Sequence, residues 1–349
     1  MGDPITGREF LIGLKKASEW GTAVACGAGD GLLIKSESLK ATIEHLQDDS
    51  LGLPFIQRTD PGNIAVAGSI EAYLRYEGLD VAIALAMGTA GTPDDAGNGA
   101  YSNEYVMADD LIGLFATIAK KMKSDKVHEF PSVKIHGFKI SAEMNAPVII
   151  TLDCIANILE LASVTNTTTT MGNLTYPDKG NRIIMNTSTT VRINDEDGAA
   201  LDADDKIYPS GFELTFSRPV EGDQLGSASG VNEPAPSGIP EPPELVMHFP
   251  RYDDTNHQYF VDWDAFTRKK MDISFQGALI GGANYYGFTI NFPNLKVKDP
   301  EALVSSPGKI PATVPFICLG TDSAPTGMTG ITKPFQLNIM NTRSTDPLA

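Results

Sequence analysis

The feature that most constrains this chain is a two-residue alternation of apolar and polar side chains, recurring in segments spread along its length. Ile64, Val66, Ile70 and Leu74 fall on one face of the stretch 64–76. Val133, Ile135 and Gly137 alternate with Lys134 and His136, and the stretches 272–276 and 287–292 alternate as cleanly. Successive side chains of a strand point to opposite faces, so these segments suit half-buried β-strands. The 33 Gly and 23 Pro among 349 residues supply the turns that many short strands need. Helix signals are confined to two places. Gly78–Met87 is apolar nearly all round and stopped by Gly88, and a second short helix is predicted within Gln258–Thr267. The chain is expected to be mainly β, a sandwich or barrel with one or two short packed helices.

Three segments interrupt the strand pattern. Residues 163–170 are polar and β-branched with no apolar period, and residues 232–243 are Pro-rich and extended. Residues 89–103, rich in Gly, Asp and Asn, read as an exposed loop. The first lies near mid-chain, which prompts a search for an internal repeat. Residues 34–43 can be laid over 207–216 at an offset of 173, and Arg75-Tyr76 over Arg251-Tyr252 at 176. Lys120-Lys121-Met122 then matches Lys269-Lys270-Met271 at 149, and Gly137-Phe138-Lys139-Ile140 matches Gly287-Phe288-Thr289-Ile290 at 150. The preferred reading is a duplication: a first β domain over 1–162, a linker over 163–180 and a second β domain over 181–349. The alternative is one large sandwich with similar hairpins.

Charge and cysteine usage narrow the function. Lys plus Arg (27) against Asp plus Glu (44) leave a net charge of −17, which argues against an ordinary duplex-DNA binder. Cys26, Cys154 and Cys318 are odd in number and far apart, as expected of reduced core residues in a protein made in a cytoplasm. The first ten residues lack a basic stretch followed by an apolar core, so no secretory signal is expected. The most apolar run, Val81–Met87, is far shorter than the roughly 20 residues that span a bilayer.

The familiar chemical motifs fail residue by residue. The five His form no pair at zinc-ligand spacing. Gly27-Ala28-Gly29-Asp30-Gly31-Leu32 ends in Leu32 where a dinucleotide fingerprint needs a third glycine, and no G-K-[ST] occurs. Gly226–Gly230 has Ala228 where a nucleophile elbow needs Ser. The acidic run 195–205 puts Ile193 and Asp204 at the first and last positions of a calcium loop, which exclude that site. A solvated acidic loop is the expectation there, with a weaker cation site in a β-turn as the alternative. No catalytic, cofactor-binding or metal residue is nominated, no cofactor is expected, and the chain is not expected to be an enzyme. A carbohydrate-active β-sandwich is the remaining enzymatic reading, set against an aromatic content of 8% and two tryptophans, Trp20 and Trp263.

The stretch Phe10–Ala23, with Lys16, Trp20, Gly21 and Thr22 in a "K-x-x-x-W-G-T" pattern, resembles the opening of tail tube proteins from long-tailed bacteriophages. Residues 61–70 and 78–88 are similar to that family's strand-then-helix core, and residues 134–143 to its later hairpin. The resemblance implies a structural virion protein that self-assembles into stacked rings, forming a hollow tail tube through which DNA passes during ejection. It implies six domain copies per ring, so that a duplicated chain needs three copies, a homotrimeric pseudo-six-fold ring; a single-domain chain would need six, a homohexamer. Implied partners are further copies of the chain, a tape-measure protein, tail terminator and tail-tip or initiator proteins, and DNA in transit without specific binding; no membrane is involved. The implied location is the virion tail, after assembly in the host cytoplasm. Loops 89–103 and 224–243 are expected to make ring-to-ring contacts, and acidic residues to line the lumen and repel phosphate. A tail-tip or head decoration protein is the alternative within virions.

Overall fold

The computed structural model describes residues 7–48, 55–56, 58–121, 126–225, 230–304 and 307–349; Met122 and residues 226–229 of the motifs above lie outside the described residues. A 3-10 turn (Gly7–Glu9) precedes β1 (Leu11–Ala17), β2 (Ser36–Glu37), β3 (Lys40–Gln47), β4 (Thr59–Tyr73) and α1 (Asp80–Met87). Then come β5 (Gly88–Ala90), β6 (Asp94–Gly97), β7 (Ala100–Met107), β8 (Phe115–Lys121), β9 (Val127–Glu143) and β10 (Ile149–Ala156). After α2 (Thr168–Gly172) follow β11 (Thr190–Asp195), β12 (Lys206–Ile207), β13 (Gly211–Ser217), β14 (Val220–Glu221), β15 (Ala235–Pro236) and β16 (Glu244–Phe249). The chain closes with α3 (Asp254–Asp264), β17 (Arg268–Gly281), β18 (Asn284–Val297), β19 (Ala312–Leu319) and β20 (Gln336–Asn341). The fold is mainly β and antiparallel, of sandwich type with short helices.

Two runs of six strands share one order. In the first, β1 pairs with β8, β8 with β9, β9 with β10, β10 with β4, and β4 with β3. In the second, β11 pairs with β17, β17 with β18, β18 with β19, β19 with β16, and β16 with β13. Numbered by appearance in each half, both read first, fourth, fifth, sixth, third, second. A helix follows the third strand in each, α1 after β4 and α3 after β16. Even the curl recurs: Gly31 bridges Gly13 of β1, and β12 pairs with β11 at Val191↔Ile207.

What breaks the correspondence lies in two places. Between α1 and β8 the first half carries β5–β7, and beyond β19 the second half carries β20. These two unmatched pieces pair with each other, β20 against β7 from Gln336↔Val106 to Asn341↔Tyr101. The segment 89–103, expected to be an exposed loop, is therefore mostly strand. Asn98 (φ 57°) and Gly99 (φ 79°) make the tight turn between β6 and β7, and Asn103 is buried. Its Gly, Asp and Asn content marks that turn and hides the strands around it.

Local signals explain the helices. Helix α1 ends where Gly88 turns left-handed (φ 94°), and it is buried on nearly every side because β1, β7 and β9 surround it. Helix α3 starts four residues before the predicted window, because the Asp253 side chain accepts from the Asn256 amide and caps it there. Among the described residues no helix is long and apolar enough to cross a membrane.

One core runs through both halves and holds Cys154 and Cys318, while Cys26 is buried in a smaller cluster with Ala119, Val127, Met171 and Leu174; all three are free thiols. Burial pushes the Cys26 thiol up to about 12, with Asp30 adding to the shift, and raises Cys154 and Cys318 further. The thiolate is the reactive form. All three thiols should therefore react with a disulfide reagent at least about 100-fold more slowly in the native protein than in denaturant. Fast labelling of a native thiol would contradict the packing described here.

Candidate functional site

The two halves meet along a seam between β9 and β13. β9 is long enough for two neighbours on one edge. Its N-terminal part pairs with β8, and its C-terminal part, 137–143, pairs with β13 of the second half, from Ser217↔Gly137 to Gly211↔Glu143. Glycines permit the close approach: a Cβ on Gly137 would lie 2.7 Å from the Phe216 carbonyl oxygen, and one on Gly211 2.6 Å from that of Ala142. Beneath this seam Phe138 of β9 meets Phe216 of β13 edge-on at 5.5 Å, and both meet Phe335.

Between β13 and β16 the chain makes an excursion over 218–243 that lies on the first half. The Trp20 indole N–H donates to the Val231 carbonyl (2.8 Å), and the Val231 amide donates to the Asn157 carbonyl (3.0 Å). Lys134, 1% exposed, donates to Glu233 (2.8 Å) and to the Pro234 carbonyl (2.8 Å), while the Gly113 amide donates to the same carboxylate (2.6 Å). Burial lowers the Lys134 ammonium below the ordinary lysine range, and Glu233 partly restores it. The buried Arg218 donates to the Met87 carbonyl at the end of α1. A buried ammonium with one carboxylate is sensitive to loss of its partner. Glu233→Gln should lower stability by about 3–5 kcal/mol, whereas Lys134→Met together with Glu233→Gln should lose less; equal losses in urea titrations would contradict the ion pair's role.

The first half makes the matching excursion between β3 and β4, which pair as a hairpin from Lys40↔Ala67 to Gln47↔Thr59. β3 is exposed at nearly every position, and Ile43, Leu46, Phe55 and Ile56 are exposed large apolar groups on this arm. β3 pairs with β4 along one edge, whereas its counterpart β13 is paired along both. An exposed edge strand with apolar side chains is a ready template for another chain.

The motifs set aside in the sequence have local roles. Within Gly27–Leu32 the Asp30 carboxylate accepts from the Gly27 amide, and Thr175 Oγ1 accepts from Gly29. In the acidic run, Asp195 pairs with Lys269, Glu196 with Arg268, and the buried Lys270 donates to the Gly198 and Thr326 carbonyls. Among the described residues no cluster of three His, Cys, Asp or Glu is placed to hold a metal ion. The segment 163–180 carries α2, capped by Thr167, and the buried Asn166, which accepts from the Cys26 amide and donates to the Val24 carbonyl. No periodicity marks Asn166, Trp20 or Lys134 as junction residues. The one signal available was the "W-G-T" resemblance at Trp20.

No curated protein matches the chain. The profile of the phage tail tube protein family matches residues 7–318, from before β1 nearly to the end of β19. With both halves of the fold inside one match, the chain belongs to the phage tail tube protein family, a structural component of the virion tail.

Proposed function

We propose that this chain is the ring-forming subunit of the tube, carrying two tube domains, 1–162 and 181–349, joined by 163–180. The observation that carries the reading is the shared strand order of the two halves, together with a junction between them that is head-to-tail. The β13 edge and the excursion 218–243 of the second half meet β9 of the first, so different surfaces are used on the two sides. Head-to-tail contacts generate closed rings when the rotation closes. Three chains then give six domains and a pseudo-six-fold ring; a six-chain ring is the alternative.

Rings stack into a tube that passes DNA during ejection, built in the host cytoplasm around a tape-measure protein and bounded by initiator and terminator proteins. The net charge of −17 supports a lumen that repels phosphate, so DNA moves without being held. Segments 89–103 and 224–243 are the candidates for ring-to-ring contact. The part 232–243 also lies against Lys134 of its own chain, which ties that contact to the junction.

The test is negative-stain electron microscopy of concentrated protein with end-on class averages. Hollow rings or tubes with three-fold modulation of a six-fold outline are expected. True six-fold averages would overturn the duplication but keep the tube, and particles that never form rings with or without initiator would overturn the function.

A further inference from the structure

Two cations are buried where the excursion 218–243 lies on the first half, and a carboxylate meets only the first of them. Lys134 is matched by Glu233. Arg218, 5% exposed, has no such match: its Nη2 donates to the Met87 carbonyl (3.0 Å), its guanidinium carbon stands 5.3 Å from the Phe216 ring centre, and its Nε has no partner. Burial lowers this guanidinium below the ordinary arginine value, and Asp110 and Asp109 oppose the shift through space alone. Both carboxylates are engaged elsewhere. Asp109 pairs with Lys333 (2.6 Å), and Asp110 accepts from the Ile112 amide (3.0 Å). A guanidinium keeps its proton, so burial leaves the charge in place and unmatched.

The two cations line one cavity. It has a volume of about 60 Å³ and is walled by Leu111, Lys134, Arg218 and three prolines of the excursion, Pro234, Pro236 and Pro240. A more open cavity of about 330 Å³ shares Asp109, Arg218 and Pro240 with it and offers the way in.

Size and chemistry together define the class of occupant. A water molecule needs about 10–15 Å³ of such space, so there is room for chloride or a very small carboxylate and none for a nucleotide or a peptide strand. Proline has no amide hydrogen, so the three proline walls offer an occupant no donor. The Pro234 carbonyl is already taken by the Lys134 ammonium. What remains to greet an occupant is the pair of cations. Water could accept from Arg218 Nε, but only an anion both accepts from it and balances its charge.

We propose that this cavity is a binding site for a small monovalent anion, chloride or a free carboxylate the size of formate, held by Arg218 Nε with the Lys134 ammonium beside it. Arg218 follows β13, Lys134 lies on β9 and the prolines belong to the excursion, so a bound anion ties the three together. The excursion is then seated on the first half more firmly with the anion than without it. The site belongs to one chain by itself and stands or falls apart from the ring reading.

The experiment is thermal unfolding of the full chain while sodium chloride replaces sodium gluconate, whose anion is too large for the cavity, at constant ionic strength. Raising chloride from about 1 to about 150 mM should raise the melting temperature by about 2–4 °C, as a dissociation constant between about 1 and 10 mM requires. Sodium formate in place of chloride separates the two sources: a shift with chloride alone assigns the site to halide, and a shift with both extends it to carboxylates. Arg218→Gln should abolish the shift, whatever it does to the absolute melting temperature. Arg268→Gln, which removes an exposed arginine paired with Glu196, should keep it. An equal shift in Arg218→Gln would mark a general salt effect and overturn the site. If that variant does not fold, the chloride NMR resonance of the wild-type sample decides: broadening that saturates and that bromide displaces is expected. A wild-type melting temperature indifferent to chloride, without saturable broadening, would overturn the site and leave water as the occupant.

Discussion

Replacing Phe335 with Ala is expected to lower stability by about 3–5 kcal/mol, the usual range for emptying a fully buried aromatic site. Phe335 is 0% exposed and stands just before β20. Its ring meets Phe138 at 6.0 Å, Phe216 at 5.5 Å and Phe292 at 6.3 Å. Those partners come from β9 of the first half and from β13 and β18 of the second, so one side chain fills the space under the seam between halves. The close-packed strands that carry these rings limit collapse of the void. The expected drop in melting temperature is about 4–7 °C for a chain of this size. Phe335→Leu, which keeps most of the volume, should lose clearly less. Trp20 in the first half and Trp263 on α3 report the two halves by fluorescence. A melting temperature within about 2 °C of wild type would show that the phenylalanines are not what joins the halves.

The strands read from the sequence were legible where burial alternates: in β4 the buried Val66, Ile70 and Ala72 stand between exposed or half-exposed neighbours, and such a pattern survives in the bare sequence. Helix α1 was legible through Gly88, since a left-handed stop needs a glycine more than any other residue. What joins the halves was not. The β9–β13 and β7–β20 pairings depend on residues about 70 and 236 positions apart, and an edge leaves no local mark of its partner. Short matches also misled. Arg75-Tyr76 and Arg251-Tyr252 share the offset of 176 that separates the ends of β4 and β16, Tyr73 and Phe249. Gly137–Ile140 and Gly287–Ile290 do not share a place: counted along the ladders, Val133 of β9 stands where Asn294 stands in β18. Alternating strands resemble one another at any even shift, so identity of four residues cannot set their register.

Alkaline pH is expected to unfold the chain steeply. Burial pushes the Tyr76 phenol up to about 12 and Cys26 up to about 12, and raises Tyr105, Tyr259, Cys154 and Cys318 as well. Asp80 strengthens the shift at Tyr105, whose hydroxyl donates to that carboxylate. Each of these groups is neutral when protonated and has a folded value above its unfolded one. Their contribution is therefore fully present below the unfolded values, near 9 for a thiol and 10 for a phenol, and is lost as pH climbs toward the folded ones. At pH 11 the unfolded chain has gained about two pH units of ionisation free energy per thiol and one per phenol, together about 12 kcal/mol. That rivals the whole stability of an ordinary domain, about 5–15 kcal/mol. Lys134 and Lys270 act in the opposite sense, since burial holds their ammonium groups below the ordinary lysine value. Two such groups offset a minor part of the loss. The midpoint of urea unfolding should stay level from pH 7 to 8, then fall steeply above about pH 10. A midpoint unchanged at pH 11 would mean that these phenols and thiols reach water in the native protein, and that the core shared by the two halves is not closed.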